Sequence, residues 1–210
     1  MVIDPAVIKP AIESYNRIAL SASYHVSYHL PALYGMDSIW QFQENISGII
    51  VMGSAASVHD GHKWQDDITD LLLESFDKSI PVMGICYGHQ LLAHICGGRV
   101  GPLWNGKKEQ GQRKVSVMEN SLWGKARNGQ MIYSHQDGVT QCPDDFEITA
   151  VSDMVSVDGF VSKTKPIWGF QTHIEATQAF IDNHNIPIAN QQETFAFGHQ
   201  ILDSFILSLA

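Results

Sequence analysis

A cysteine between two glycines is the residue of this chain best placed to do chemistry. Cys86 stands in the run Gly84-Ile85-Cys86-Tyr87-Gly88, after a short apolar segment and before an amphipathic one. This pattern is typical of a sharp strand-to-helix turn that presents a nucleophile at the edge of a sheet. The glycines leave room where such a turn presses backbone against backbone. The N-terminus of the following helix is expected to favour the thiolate form of the cysteine.

A base and an acid for this nucleophile stand near the far end of the chain. A predicted strand that begins at Ile167 ends in His173-Ile174-Glu175. Residues two apart in an extended segment point the same way, so Glu175 is expected to hold one ring nitrogen of His173 while the other faces Cys86. Each residue alone also fits a structural role, as a small buried thiol or a core histidine. The combination favours an activated cysteine nucleophile.

These motifs together resemble the class I, or triad-type, glutamine amidotransferases. The family pattern G-x-C-x-G-x-Q is matched by residues 84–90, and the His-Pro-Glu element by residues 173–175, with isoleucine in place of proline. Residues 134–139 match S-H-x-D-x-V, and residues 48–57 match, less well, a strand that runs into S-G-G-P-x-S. The four landmarks occur in the family order over roughly residues 45–180. The chain is therefore similar to the glutaminase domain found, for example, in GMP synthetase.

The resemblance implies a catalytic mechanism for three of these residues. Cys86 would attack the side-chain amide of glutamine, His173 would act as acid and base, and Glu175 would orient the imidazole. Ammonia would leave, and water would hydrolyse a γ-glutamyl thioester to glutamate. The resemblance implies no cofactor for this half-reaction.

The resemblance also implies the residues that surround the reacting carbonyl. The oxyanion hole would be formed by the backbone amides of Tyr87 and Ser54, and the substrate would be bound by Gly53, Gln90, Ser134, His135 and Asp137. Ser54 stands where the family has a glycine, and a serine is costly wherever a positive φ is required. Whether this loop forms a working oxyanion hole unaided is left open by the sequence.

Composition limits the classes of partner and the cellular setting. The net charge is −9 and no run of Lys or Arg occurs, which argues against nucleic acid and anionic membrane as partners. No apolar stretch reaches the ~20 residues that span a bilayer, and the N-terminus lacks the features of a signal peptide. Three widely spaced cysteines without a C-x-x-C motif favour reduced thiols and a cytoplasmic location.

Ten histidines raise the question of a metal site. The pairs His25/His29 and His59/His62 have near-helical spacing, but neither has a third ligand at a recognisable interval. We therefore expect no bound metal. Nor does the chain contain either of the glycine-rich patterns that mark nucleotide sites.

The residue pattern predicts an α/β fold with an open, mostly parallel sheet, helices on both faces and a small antiparallel β patch, as in flavodoxin-like proteins. Alternating buried strands and amphipathic helices carry this prediction. The predicted strands of the parallel part are 48–52, 81–85 and 167–171, and the predicted helices are 6–17, 64–78, 90–96 and 193–209. Short strand candidates for the antiparallel patch are 115–117, 131–133, 147–151 and 155–157. With no repeat or linker, residues 1–210 are expected to form a single domain.

Three functions stay open at this level. The first is a stand-alone glutaminase domain that supplies ammonia to a synthetase partner and is slow until that partner orders the Ser54 loop. The second is a γ-glutamyl hydrolase or peptidase that uses the same triad on a larger γ-glutamyl compound. The third is a non-catalytic protein with a regulatory or binding role, against which the intact triad speaks. A DJ-1-like cysteine protein would share the cysteine turn but would not need the downstream His-x-Glu.

Overall fold

The architecture is that of an α/β protein built on a nine-stranded mixed sheet and a separate two-stranded sheet. It is seen in a computed structural model that describes residues 1–189 and 191–210, with all their side chains except those of residues 43, 191 and 192. The strands are β1 Val2–Ile3, β2 Tyr28–His29, β3 Ile49–Val51, β4 Val82–Ile85, β5 Arg99–Pro102, β6 Glu109–Val117, β7 Arg127–His135, β8 Asp137–Gln141, β9 Phe146–Val151, β10 Gly159–Ser162 and β11 Ile167–Phe170. The helices are α1 Ile12–Ser21, α2 Pro31–Tyr34, α3 Asp37–Trp40, α4 Lys63–Asp77, α5 Tyr87–Ile95, α6 Gln178–His184 and α7 Gln191–Ser208.

The large sheet has a parallel half and an antiparallel half that share strand β11. Its strand order is β2-β1-β3-β4-β11-β10-β9-β6-β7. Pairing is parallel from β2 to β11 and antiparallel from β11 to β7. Strands β5 and β8 form the small antiparallel sheet. The predicted α/β fold class is thus confirmed, and most of the antiparallel strands continue the main sheet.

Helices cover both faces of the parallel half, and the alternation of side chains along β3 shows how. Ile49 and Val51 are buried in a cluster with residues of α4 and α5, among them Leu72 and Leu91. Ile50, the residue between them, is buried on the other face in a cluster with residues of α1 and α7. A strand buried on both faces must be apolar throughout, which is why this segment was recognisable in the sequence.

The first helix begins later than its apolar spacing predicts. It starts at Ile12 rather than at residue 6. The buried carboxylate of Asp4 accepts hydrogen bonds from the amides of Ala6 (3.0 Å) and Ala11 (2.8 Å). The segment between these two residues is therefore a loop that folds around Asp4, and Pro10 lies within it.

Another expectation, a strand at 155–157, is wrong. The amide of Ser152 donates to the carbonyl of Val155 (2.9 Å), and the amide of Val155 donates back to Ser152 Oγ (3.1 Å). This turn uses the backbone groups that a strand would have paired, and the strand forms instead at Gly159–Ser162. Strands β5 and β8 and helix α6 were not predicted.

No helix within residues 1–189 and 191–210 is both long and apolar enough to cross a membrane.

Candidate active site

Cys86 lies at the junction between β4 and α5, at the carboxyl end of the parallel strands. Its backbone has φ 52° and ψ −101°, the positive φ expected for a nucleophile turn and a strained one for a residue with a side chain. Gly84 and Gly88 make the turn possible, since a Cβ on Gly84 would lie 2.5 Å from the carbonyl oxygen of Gly88. The thiol of Cys86 is buried, with the residue 3% exposed.

His173 and Glu175 lie side by side in the turn that follows β11. The sequence predicted this arrangement from an extended strand, but the strand ends at Phe170. A tight turn brings the two side chains together, so that His173 Nδ1 and Glu175 Oε1 are 2.8 Å apart. The backbone amide of His173 donates to the carbonyl of Ile132 in β7 (2.8 Å). The histidine is thus held by the antiparallel half of the sheet.

The charges around His173 favour its protonated form. Burial of the ring lowers the pKa of His173, but the charges of Glu175 and Cys86 and its hydrogen bonds to both side chains raise that pKa to about 10. Glu175 contacts Nδ1 of the ring, and a carboxyl group in this position favours the imidazolium form of a histidine. The second oxygen of Glu175, Oε2, is buried and meets no hydrogen-bond donor in the described part of the chain.

Gly53 packs closely against both Cys86 and His173. A Cβ on Gly53 would lie 2.8 Å from Cε1 of His173 and 3.5 Å from Cβ of Cys86. The imidazole therefore occupies the space that a side chain at position 53 would need. This contact requires glycine here for reasons of space.

Ser54 is held without the strain considered from the sequence. It is absent from the described residues that have a positive φ, so serine carries no conformational penalty at this position. Its hydroxyl donates to the carbonyl of Pro5 (2.6 Å) and accepts from the amide of Ala56 (3.1 Å). These two bonds tie the loop to the segment that folds around Asp4.

Two backbone amides, one in the cysteine turn and one directly after Gly53, have no acceptor in the described part of the chain. Neither Tyr87, the first residue of α5, nor Ser54 donates its amide hydrogen to another group in residues 1–189 and 191–210. Free N–H groups are usual in the first turn of a helix, as at Tyr87. Ser54 follows Gly53, on which an added Cβ would lie 3.5 Å from Cβ of Cys86. An oxyanion hole needs two free N–H donors of this kind.

A cavity of about 360 Å³ opens against His173. Of the residues expected to contact substrate, Gly53, Ser54 and Ser134 line it. Its other walls come from the N-terminal loop, from α6 and from Lys108. Two lysines, Lys9 and Lys108, are thus among its lining residues in a protein whose net charge is −9.

His135 does not line this cavity, although it was expected to contact substrate. Its Nδ1 lies 2.9 Å from the carbonyl oxygen of Asp137 and its Nε2 lies 2.9 Å from Nη1 of Arg113. Burial, followed by the charge of Arg113, lowers the pKa of His135 to about 3. Both ring nitrogens are occupied by the protein, so the ring supports the site without reaching into it.

Gln90 and Asp137 lie together and do not line this cavity. The side-chain nitrogen of Gln90 donates to the backbone carbonyl of Asp137 (2.7 Å). The carboxylate of Asp137 accepts from the hydroxyl of Ser57 (3.1 Å). The amide oxygen of Gln90 and the carboxylate of Asp137 are thus acceptors on neighbouring residues.

Two features of the site were not found from the sequence. Gln171 is buried and its amide nitrogen lies 3.7 Å from the sulfur of Cys86; its position two residues before His173 was the available signal. Arg113 of β6 forms a buried ion pair with Asp158, and no pattern in the sequence pointed to this pair. Among the described residues, no three metal-ligating side chains gather into a possible metal site.

Comparison with known proteins gives one family match that covers most of the chain. The family model for glutamine amidotransferase class-I matches residues 12–187. The glutamine-hydrolysing GMP synthase of Ligilactobacillus salivarius is 38% identical over 135 residues, which cover 62% of this chain and 25% of that protein. The corresponding enzyme of Borreliella burgdorferi is 32% identical over 168 residues, which cover 79% of this chain and 28% of that protein. The chain thus spans about a quarter of the length of these relatives.

Solved structures show the same fold at lower identity. A glutamine amidotransferase from Methylobacillus flagellatus has a TM-score of 0.76 and 17% identity, covering 99% of this chain and 92% of its own. A glutamine amidotransferase from Thermotoga maritima has a TM-score of 0.73 and 18% identity, covering 100% of this chain and 97% of its own.

Proposed function

The chain belongs to the class-I glutamine amidotransferase family, and from this premise we propose that it hydrolyses the side-chain amide of glutamine through Cys86, His173 and Glu175. One observation carries the proposal. A buried cysteine with a positive φ and a buried histidine meet at Gly53, the cysteine raises the pKa of that histidine, and the histidine contacts a buried glutamate at 2.8 Å. No step of this reaction calls for a cofactor.

The first half of the reaction forms a thioester. The thiolate of Cys86 attacks the amide carbon of glutamine, and a C–S bond forms as the carbonyl oxygen becomes an oxyanion. The amides of Tyr87 and Ser54 stabilise this oxyanion. Protonated His173 then gives its proton to the amide nitrogen, the C–N bond breaks, and ammonia leaves.

The second half of the reaction releases glutamate. His173, now neutral, takes a proton from a water molecule that attacks the thioester carbonyl. The same two amides stabilise the second oxyanion. The C–S bond then breaks, glutamate leaves, and the pair of thiolate and imidazolium is restored. Throughout the cycle, Glu175 keeps the imidazole oriented and balances its positive charge.

Recognition of the amino-acid end of glutamine falls to Gln90 and Asp137 in this proposal. An α-ammonium group is a cation with three donors, and the amide oxygen of Gln90 and the carboxylate of Asp137 are suitable acceptors. Gly53 and Ser134 contribute the walls of the pocket. The ring of His135 takes no part, because both of its nitrogens are bonded within the protein.

We further propose that the ammonia is consumed by a synthetase partner in the cytoplasm. The relatives are glutamine-hydrolysing synthases of which this chain spans about a quarter, which supports a synthetase as the consumer of the ammonia. Without that partner the chain would be a slow glutaminase. The hydroxyl of Ser54 already anchors its loop. Disorder of that loop would therefore not be the cause of slow glutamine hydrolysis.

A second candidate, a γ-glutamyl hydrolase, has one observation in its favour. The cavity continues past His173 to Lys9, Phe180 and Asn183. It therefore offers room beside the group that protonates the leaving nitrogen. A leaving group larger than ammonia would fit on this side.

The test is to incubate the pure chain with glutamine and, separately, with γ-glutamyl dipeptides, and to measure ammonia and glutamate. Release of both products from glutamine supports the amidotransferase function. A rate near ~10 per second, usual for enzymes, would contradict the need for a partner. Fast cleavage of dipeptides with slow cleavage of glutamine would favour the γ-glutamyl hydrolase. If neither substrate is cleaved, with or without a synthetase, the proposal fails.

A further inference from the structure

A chain of side-chain amides runs from the substrate side of the site to the sulfur of Cys86. Gln90 Nε2 lies 2.7 Å from the carbonyl oxygen of Asp137 and 3.2 Å from Oε1 of Gln171. Gln171 Nε2 lies 3.7 Å from Sγ of Cys86. Gln90 and Gln171 are 4% and 0% exposed. The sulfur therefore has a second polar neighbour besides His173.

The direction of every hydrogen bond in this chain is fixed by the first one. A backbone carbonyl can only accept, so Gln90 must turn its NH₂ group towards Asp137. The second hydrogen of that NH₂ group points at Gln171, whose side-chain oxygen must therefore accept it. The NH₂ group of Gln171 is then left facing Cys86. The carbonyl of Asp137 is three contacts away from the sulfur. It nevertheless orients both glutamine side chains so that the sulfur faces a donor rather than an acceptor.

We propose that Gln171 is a further catalytic residue, which donates a hydrogen bond to the thiolate of Cys86. This inference rests on the proposed function only in taking Cys86 as the nucleophile. Hydrogen bonds to an ionised partner are about twice as strong as those between neutral groups. The contact therefore favours the thiolate over the thiol, and it weakens when the sulfur becomes a neutral thioester. It also fixes the direction from which the sulfur attacks.

The backbone of Gln171 does not depend on this side chain. Its amide donates to the carbonyl of Asp158 (2.8 Å), which joins it to the antiparallel half of the sheet. Replacing the side chain with one of similar length therefore leaves the turn that carries His173 in place. This separation makes the role of the side chain testable.

The experiment measures alkylation of Cys86 by iodoacetamide at pH 8, resolved by peptide mass spectrometry. Gln171→Met keeps the length of the side chain and removes the donor. Gln171→Glu keeps an oxygen for Gln90 and puts a second oxygen at the sulfur. The matched control is Gln65→Met, because Gln65 is another buried glutamine whose amide donates to Ser57 O and Tyr87 Oη and does not contact the sulfur.

The expected result is an alkylation of Cys86 that is about ten- to a hundredfold slower in Gln171→Met, the size expected for the loss of one hydrogen bond to a charged group. Gln171→Glu should be slower still, and Gln65→Met should stay within about twofold of wild type. Cys96 and Cys142 serve as internal references, because burial raises the pKa of both thiols to about 11. In glutamine hydrolysis, kcat should fall in Gln171→Met while KM changes little.

An unchanged alkylation rate in both Gln171 variants would overturn this inference, as would an equal fall in Gln65→Met. Either result leaves the proposed function standing. The proposed function fails separately, if Cys86→Ala still hydrolyses glutamine at the wild-type rate. Loss of folding in Gln171→Met would show in its circular dichroism, and Gln171→Glu, which keeps the bond from Gln90, then decides the question.

Discussion

The two halves of the large sheet divide the work of the site differently. The parallel half, from β2 to β11, supplies the cysteine turn and the Gly53 loop. The antiparallel half, from β11 to β7, supplies Ser134 and, through the carbonyl of Ile132, holds the backbone of His173. The nucleophile therefore belongs to the parallel half, whereas its base follows the shared strand β11 and is held from the antiparallel half. Their contact is set by how the two halves are joined at β11.

The halves also store different kinds of unfavourable energy. In the parallel half the cost lies in the backbone, at the positive φ of Cys86. In the antiparallel half the cost lies in burying charge, since Arg113 and Asp158 are almost fully buried. A strained backbone serves to present one atom, whereas a buried ion pair fixes how the strands around it pack. Substitutions in the two halves should accordingly affect different measurements.

The largest expected effect is on activity, in the parallel half. Cys86→Ala removes the nucleophile and leaves the oxyanion donors in place, so glutamine hydrolysis should fall by ~10⁴-fold or more. Ammonia release measures this loss, and Cys96→Ala is the control that should keep activity. Turnover within tenfold of wild type in Cys86→Ala would end the covalent mechanism.

The next effect is on stability, in the antiparallel half. Arg113→Met leaves the carboxylate of Asp158 buried and unpaired, which should lower the free energy of unfolding by ~3–5 kcal/mol. Urea denaturation measures the change. The control is Arg17→Met, which removes a partly exposed ion pair with Asp203 at 2.6 Å and should cost ~1 kcal/mol or less. Equal losses in the two variants would show that the buried ion pair contributes no more to the free energy of unfolding than the partly exposed one.

A third prediction concerns acid. Burial lowers the pKa of His135, and the charge of Arg113 lowers it further, to about 3. In the unfolded chain this residue takes up a proton below pH ~6.5, while in the folded chain it stays neutral down to about pH 3. The unfolded state therefore binds more protons in that window. The contribution of His135 to the free energy of unfolding is therefore unchanged above pH ~6.5, and it becomes steadily less favourable as the pH falls towards 3.

The measurement compares the free energy of unfolding between pH 6 and pH 4 in wild type and in His135→Gln. In the variant, the free energy of unfolding should change less steeply with pH than in wild type, by up to ~1.4 kcal/mol per pH unit. His89, buried in the parallel half with a pKa that burial lowers to about 3, should give His89→Gln a similar effect. Slopes that do not change in either variant would refute this account of both histidines.

The smallest expected effect is at the Ser54 loop. Ser54→Ala removes the bonds to Pro5 and Ala56, which should cost ~1 kcal/mol of stability and slow hydrolysis a few-fold. Ser204→Ala, which loses a single bond within helix α7, is the matched control for stability. Faster hydrolysis in Ser54→Ala would mean that the serine holds the loop in a poor position.

The parallel half was the easier half to predict, for a physical reason. Strands buried on both faces are continuous apolar runs, so β3 and β4 stood out, and the spacing of α4 follows its single buried face. In β6, buried and exposed side chains alternate over nine residues. Its polar residues hid most of its length, and only 115–117 were recognised.

The parts of the site that belong to a short sequence motif could be predicted. The parts that depend on contacts between residues far apart in sequence could not. The cysteine turn and the His-x-Glu element are local, and the structure places their residues next to one another. The hydrogen bonds of Gln171 and of Arg113 to Asp158 join residues that are 45 or more positions apart in sequence. Tertiary bonds also overrode local propensity at Asp4, where two backbone amides that a helix could have used are bound by a carboxylate.

The bond from the amide of His173 to the carbonyl of Ile132 has a consequence for how mutations act at the site. Every amino acid carries a backbone carbonyl, so no substitution at position 132 removes this anchor directly. The side chain of Ile132 is buried against Ala176, Phe180 and Ile181, so its replacement would act through packing. A saturation scan at this position should therefore sort variants by how much folded protein they give, with the turnover of each folded molecule almost unchanged.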